Sequence, residues 1–211
     1  MTRPITGLYM VTDARRPPPV PVETAVAAAL RGGVRIVQYR DKSDDTERRR
    51  HEAAALVAQC RAAGACFIVN DDIALARAVA ADGVHLGRDD GDVAAARAAL
   101  GLDRLIGVSC YADLDRARAA AEAGADYLAF GSLYPSPTKP ESALAPLSVF
   151  REARAFTDRP LVGIGGINAG NIAEVTAAGA DAVAVVEAIS AAPDIEAATA
   201  TLIDRGFGPA A

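Results

Sequence analysis

Short apolar runs alternate with alanine-rich, polar-faced stretches along almost the whole chain. The joints between them repeat, as Leu30-Arg-Gly-Gly-Val-Arg-Ile-Val, Ala63-Gly-Ala-Cys-Phe-Ile-Val, Ala81-Asp-Gly-Val-His-Leu, Ala123-Gly-Ala-Asp-Tyr-Leu-Ala and Ala178-Gly-Ala-Asp-Ala-Val-Ala. Glycine at such a joint suits the left-handed position that ends a helix, and the uninterrupted apolar run suits a strand buried on both faces. The pattern predicts strands at Gly7–Val11, Arg35–Tyr39, Cys66–Val69, Gly83–Leu86, Leu105–Val108, Tyr127–Phe130, Leu161–Ile164 and Ala182–Val186. Helices are predicted at Val22–Leu30, Thr46–Ala63, Ile73–Ala80, Val93–Ala99, Leu114–Ala123, Leu147–Ala155, Ile172–Ala178 and Ile195–Ile203. Strand–helix pairs joined by short connections make a parallel sheet, and a full round of them in 211 residues makes an α/β protein with a single (β/α)8 barrel as one catalytic domain over 1–211. A doubly wound open sheet is the alternative, but its Gly-x-Gly-x-x-Gly fingerprint is absent after the first strand. No linker or change of composition marks a second domain, and Arg15–Pro21 reads as a rigid loop.

Composition narrows the function classes. Although 51% of residues are apolar, no run approaches the ~20 needed to cross a bilayer. Met1-Thr-Arg-Pro leads into a strand-like segment without an apolar leader, so a cytoplasmic protein with no membrane partner is expected. Cys60, Cys66 and Cys110 are odd in number and share no Cys-x-x-Cys spacing, which fits reduced thiols. A formal charge of −5 argues against nucleic-acid binding. An anionic ligand must therefore be held by a local group of cations, by backbone N–H groups or by a bridging metal. His51 lies in a charged helix-like stretch and His85 has no ligand-type residue at helical or hairpin spacing, so neither is a candidate metal ligand.

In a barrel the chemistry sits at the C-terminal ends of the strands. After the sixth strand, Phe130 to Pro140 combine prolines with Ser136, Thr138 and Lys139. Such a stiff loop holds hydroxyl and ammonium donors ready for an anion. Its plainer reading is a proline-rich surface turn. The second strand ends in Gln38-Tyr-Arg-Asp-Lys42, and alternation puts Gln38, Arg40 and Lys42 on one side, a set suited to a diphosphate. The rival reading is a strand running out into a solvated charged loop. Asn70-Asp-Asp72 and Gly87-Arg-Asp-Asp90 place carboxylates on adjacent strand ends, where a magnesium ion could bridge protein and diphosphate. Asn70, Asp71 or Asp72, and Asp89 to Asp92, could equally cap the helices that follow. Ser109 ends the fifth strand; Cys110 beside it has no histidine placed to activate it. Gly163-Ile-Gly-Gly-Ile167 and the helix-like start at Glu187 match the place where many barrels hold a monophosphate on backbone N–H groups, with Gly165 and Gly166 allowing close approach.

With the strand ends assembled, the chain resembles the thiamine phosphate synthase family. The matching pieces are Leu8-Tyr-Met-Val-Thr-Asp13, Gln38-Tyr-Arg-Asp-Lys42, Phe67-Ile-Val-Asn-Asp71, Ala81-Asp-Gly-Val-His-Leu-Gly87, Ile106-Gly-Val-Ser109, Gly124-Ala-Asp-Tyr127, Pro137-Thr-Lys139 and Gly163-Ile-Gly-Gly-Ile167, in family order over nearly the whole chain. The resemblance implies a (β/α)8 barrel that joins 4-amino-2-methyl-5-pyrimidinylmethyl diphosphate to a (carboxy)thiazole phosphate with Mg²⁺, giving thiamine phosphate and diphosphate. It implies that Gln38, Tyr39, Arg40, Asp41, Lys42, Asn70, Ser109 and Lys139 hold the pyrimidine diphosphate, that Arg40, Lys42 and Lys139 are catalytic, and that Asp71 and Asp90 hold Mg²⁺. Ser136, Pro137, Thr138, Gly166, Val186 and Glu187 would line the thiazole phosphate site. The partners implied are these small molecules; a homodimer is compatible with the reading, and nothing in the sequence requires one.

The chain departs from the family's pattern in places. Ser136 replaces a common threonine, Cys110-Tyr111 the usual Thr-His, and Arg88 a common glutamine. Glu187 stands where serine is frequent, and a carboxylate there repels a phosphate unless it turns to solvent and only its N–H is used. Three rival readings each require a different residue set. A thiazole tautomerase of the same superfamily is expected to lack the cation set and the aspartate pair. A Schiff-base aldolase would need Lys139 desolvated on a strand. A phosphate-binding regulatory barrel would show gaps in the catalytic set.

Overall fold

The computed structural model describes residues 5–14, 19–88, 91–135 and 143–208. Eight parallel strands, β1 (Gly7–Val11), β2 (Ile36–Tyr39), β3 (Cys66–Asn70), β4 (Gly83–Leu86), β5 (Leu105–Tyr111), β6 (Tyr127–Phe130), β7 (Leu161–Ile164) and β8 (Ala182–Val185), pair in chain order and close on themselves, β8 against β1. The helices between them are α1 (Val22–Arg31), α2 (Thr46–Ala62), α3 (Ile73–Ala78), α4 (Val93–Leu100), α5 (Leu114–Glu122), α6 (Ser148–Arg154) and α7 (Ile172–Ala177); a one-turn α8 (Glu187–Ser190) and α9 (Ile195–Phe207) follow β8. Among the described residues, no helix is long and apolar enough to cross a membrane.

The expected elements are present, with differences of boundary and of cause. β5 is longer than the apolar run because Ser109 and Tyr111 still pair with Ala129 and Phe130 across a bulge. α9 continues past Ile203 to Phe207, since Leu202 is buried and Ile203 and Phe207 pack against the core. Val186 lies outside β8 and is the residue before α8. Of the glycines expected to be left-handed, Gly33, Gly64, Gly124 and Gly179 are so, but Gly83 is not. There Ala80 carries the positive φ of 54°, and Gly83 is needed because a Cβ on it would meet the carbonyl of Leu105 on the next strand.

Aspartates hold both ends of the barrel. Asp45, Asp72, Asp92, Asp113 and Asp194 cap α2, α3, α4, α5 and α9 by accepting from backbone N–H groups in the first turn. The capping role expected near residues 70–72 and 89–92 thus falls to Asp72 and Asp92, not Asp71. At the opposite end, the aspartate of the repeated joint accepts an N–H from the first two residues of the preceding strand: Asp82 from Phe67, Asp126 from Ile106 and Asp181 from Leu161. Two apolar layers result, one between strands and helices and one inside the barrel, where Ile36, Ile68, Val162 and Ala184 surround two tyrosines, Tyr9 and Tyr127.

Candidate active site at the barrel mouth

A cavity of about 480 Å³ opens at the C-terminal ends of the strands, the end at which barrels of this kind carry their chemistry. Seven of the sequence-expected site residues line it: Gln38, Arg40, Asn70, Ser109, Gly166, Val186 and Glu187. Lys42 and Asp71 stand outside that lining as an ion pair of 2.9 Å, Lys42 about half exposed. Asp71 sits directly after β3 with φ 63° and also accepts from Asn70 Nδ2 at 2.6 Å. Its neighbour Asp72 is occupied by the α3 cap and by Arg49 at 2.8 Å.

Alternation along β2 sends its other side chains away from the mouth. Tyr39 donates to Glu52 of α2 at 2.6 Å. Asp41 accepts from the Ser43 N–H and from Arg48. Burial alone would raise the Asp41 carboxyl, but these two donors outweigh it and hold the group below its ordinary range. The side chains of Tyr39 and Asp41 are thus engaged with α2 and Ser43, away from the cavity. Ser136, Pro137, Thr138, Lys139 and Asp90 lie outside the described residues.

Arg40 is fixed in advance of any ligand. Its guanidinium meets the Asp13 carboxylate at 2.8 Å, with 14% and 2% of the two side chains exposed, and its backbone N–H donates to Thr12 Oγ1. The mouth thus carries a largely buried, oriented cation directly after β2 and a half-exposed one, Lys42, at its edge. Arg88, a departure from the family's pattern, places its guanidinium 4.6 Å from the ring centroid of Tyr111, another departure. The two substitutions are therefore one contact, a cation–π pair, and Tyr111 lines the cavity.

Beneath these groups runs a chain of hydrogen bonds with no counterpart in the sequence expectations. Gln38 Nε2 donates to Tyr9 at 2.8 Å, and the Tyr9 and Tyr127 hydroxyls are 3.0 Å apart. Tyr127 lies 3.1 Å from His85 Nδ1, and His85 Nε2 lies 2.9 Å from Ser109 Oγ. Burial raises both phenols above their ordinary value, so they stay neutral hydroxyls. His85, set aside as a metal ligand on spacing alone, points into the barrel. Tyr9, Asp13 and His85 could have been found from strand phase: Tyr9, Val11 and Asp13 share one side of β1 and its run-out, and His85 is a polar residue inside an apolar strand. Cys110 faces the other way; burial pushes its thiol up to about 12, in keeping with its rejection as a nucleophile.

The far side of the mouth is built from backbone. Leu133 and Tyr134 donate to the carbonyls of Ile164 and Gly165, stitching the loop after β6 onto the end of β7. Gly165 and Gly166 have φ of 100° and 67°, and a Cβ on either would collide with that loop, at Ser132 Cα and at the Pro135 carbonyl oxygen respectively. Their lack of side chains serves loop-on-loop packing as well as ligand access. Val186, Glu187 and Ala188 close the cavity on the β8 side.

Comparisons with known proteins agree with one another. The profile of the family described as "Thiamine monophosphate synthase" matches residues 8–189. A protein of Halorhodospira halophila named thiamine-phosphate synthase is 61% identical over 94% of this chain and 93% of its own length. Its namesake in Chromobacterium violaceum is 53% identical over 94% of this chain and 95% of its own. Among solved structures, thiamine phosphate pyrophosphorylase from Pyrococcus furiosus superposes with a TM-score of 0.87 at 34% identity, covering 95% of both chains.

Proposed function

Since the chain belongs to the thiamine monophosphate synthase family, we propose that its two-sided mouth holds a pyrimidine diphosphate on the β2–β5 side and a thiazole phosphate on the β6–β8 side. The chain is a transferase that makes thiamine phosphate. The observation that carries the substrate assignment is the contrast between the two sides. Arg40, Lys42, Asn70 and Ser109 offer side-chain donors, whereas residues 163–167 and 186–188 offer backbone. A multiply charged leaving group needs the former, and a monophosphate is satisfied by the latter.

The reaction breaks the bond between the pyrimidinylmethyl carbon and the diphosphate oxygen, whose electron pair leaves with diphosphate. The thiazole nitrogen then supplies the pair for the new C–N bond. An electron-rich aminopyrimidine can carry the intervening positive charge, so the residues of this chain act chiefly on the departing anion. Arg40, held by Asp13, meets it without reorganisation. Lys42 exchanges Asp71 for phosphate oxygens, and Lys139 adds a third cation from the loop after β6. No general base or covalent nucleophile is called for, in keeping with the inert Cys110 thiol.

Magnesium suits this donor set. Among the described residues no three His, Cys, Asp or Glu side chains gather as a metal cluster. A sparse pair of hard carboxylates, Asp71 with Asp90, is what magnesium accepts when phosphate oxygens and water complete its shell. Bound there, it would neutralise charge on the diphosphate. The test is diphosphate release followed with both substrates and Mg²⁺: release should require the thiazole phosphate and be lost on chelation. Release of diphosphate at the same rate without the thiazole compound would overturn the assignment.

A further inference from the structure

We propose that Tyr9, Tyr127 and His85 form a hydrogen-bond relay of fixed polarity that presents Gln38 as an acceptor and Ser109 as a donor to the pyrimidine diphosphate. The proposal rests on the substrate assignment above and adds three positioning residues to it. The relay crosses the barrel interior through five strands, β2, β1, β6, β4 and β5, in the order Gln38–Tyr9–Tyr127–His85–Ser109. Its three middle members are 1%, 0% and 8% exposed, so their polar hydrogens must be satisfied within the protein.

With His85 neutral, donor counting leaves two arrangements. In one, Gln38 Nε2–H donates to Tyr9, Tyr9 to Tyr127, and Tyr127 to His85 Nδ1. Neutral His85 then carries its proton on Nε2 and donates it to Ser109, whose own hydroxyl hydrogen is left for the cavity. In the other, every bond is reversed: His85 holds its proton on Nδ1, Ser109 spends its hydrogen inward, and Gln38 must turn its carbonyl to Tyr9. With the Gln38 amide turned so that its Nε2 faces Tyr9 at 2.8 Å, the first arrangement follows; the flipped amide would give the second. The carbonyl of Gln38 is then the end left to meet a substrate N–H, and the Ser109 hydroxyl the end left to meet a substrate lone pair. An aminopyrimidine bearing a diphosphate offers both, an amino donor and nitrogen or phosphate acceptors. Gly107 leaves the space that the Tyr127 ring fills, since a Cβ there would overlap it.

The relay makes a statement about one proton that turnover does not enter. The chain has 2 histidines, and His51 is exposed on α2, so the His51→Gln protein carries His85 alone. Labelled with ¹⁵N-histidine, it should show an imidazole protonated at Nε2 and bare at Nδ1. A proton on Nδ1, or two tautomers in exchange, would overturn the proposal. In Tyr127→Phe, which keeps the ring and loses one hydroxyl, the tautomers should mix. The KM for the pyrimidine diphosphate should rise roughly tenfold, the scale of one net hydrogen bond, with the KM for the thiazole phosphate unchanged. Adding Tyr127→Phe to Ser109→Ala should cost little more than Ser109→Ala alone; full additivity would mean that the tyrosine does not act through Ser109. If the protein fails to release diphosphate, the substrate assignment falls while the tautomer can still be read, so the two failures are distinguishable.

Discussion

Lys42→Ala separates charge that serves the reaction from charge that serves the fold. Lys42 and Asp71 meet at 2.9 Å with 47% and 19% of their side chains exposed. At that separation the attraction is about 1.4 kcal/mol in a water-like dielectric. Ordering a long side chain and screening by salt reduce such pairs to about 0.2–1 kcal/mol. For a domain of this length, a loss of that size moves Tm by at most about 2–4 °C. The same ammonium, once moved from Asp71 to a departing diphosphate, stabilises the charge that develops there, a contribution whose removal costs roughly 10²–10³ in kcat. Arg40 cannot make this separation. Its removal takes an ion-pair partner from an Asp13 side chain that is 2% exposed, a loss to the fold itself as well as to the site. The assay is diphosphate release at saturating substrates beside a calorimetric melt, with Lys42→Arg as the charge-retaining control. Turnover within a few-fold of the parent, or a fall in Tm well beyond that small range, would refute the reasoning and return Lys42 to a solvated loop.

Other substitutions probe the remaining parts of the mouth and the barrel. Gly166→Ala puts a Cβ 2.5 Å from the Pro135 carbonyl oxygen at φ 67°; it should raise the KM for the thiazole phosphate more than that for the pyrimidine, checked by varying each substrate in turn. Asp126→Ala removes the acceptor of the Ile106 N–H at 2.8 Å and of Arg97 at 2.6 Å. It should cost about 1–3 kcal/mol in a urea melt while kcat holds, because this aspartate lies at the end away from the mouth. Stability should fall with alkali. The Cys110 thiol is raised by burial from 9.0 to about 12, so its contribution is intact below pH 9 and is lost as pH climbs toward 12. Urea midpoints should drop across that window, less steeply in Cys110→Ala, while the buried Tyr9, Tyr39 and Tyr127, also raised, add the same sign at higher pH.

The parts of the molecule that were legible in its sequence are those whose cause is local. Glycine at Gly33, Gly64, Gly124 and Gly179 marks helix ends because the left-handed backbone is a property of one residue. The exception, Gly83, owes its identity to the Leu105 carbonyl on the next strand, which no window around residue 83 contains. The same division runs through the site. Gln38, Arg40, Asn70 and Ser109 could be assigned to the mouth because a closed parallel barrel aims every strand end at one place, so that phase along a strand suffices. The Asp13–Arg40 pair, the Arg88–Tyr111 contact and the relay could not, since each needs two strands in register. Separations of 118, 42 and 24 residues between relay partners show how far the register carries. Spacing arguments are silent on the partners of His85 for this reason, since Tyr127 and Ser109 lie at no periodic offset from it.

The two sides of the mouth also bear on how one cavity takes two phosphorylated substrates in the right places. A site made only of lysines and arginines would attract either phosphate at either end, because point charges carry no register. Among the described residues the cations Arg40 and Lys42 follow β2, and the opposite side presents glycine backbone and a glutamate. On the proposed assignment Glu187, awkward beside a phosphate, gains a discriminating part. A carboxylate near the monophosphate side costs a diphosphate more than a monophosphate, in proportion to the charge it brings, and so penalises the pyrimidine substrate for entering backwards. Affinity on that side then rests on N–H groups that a monophosphate can use against the smaller repulsion. The substitution that looks like a defect in a phosphate site is thus consistent with sorting between two phosphates, because the quantity selected is the difference between two binding energies and not the larger of them.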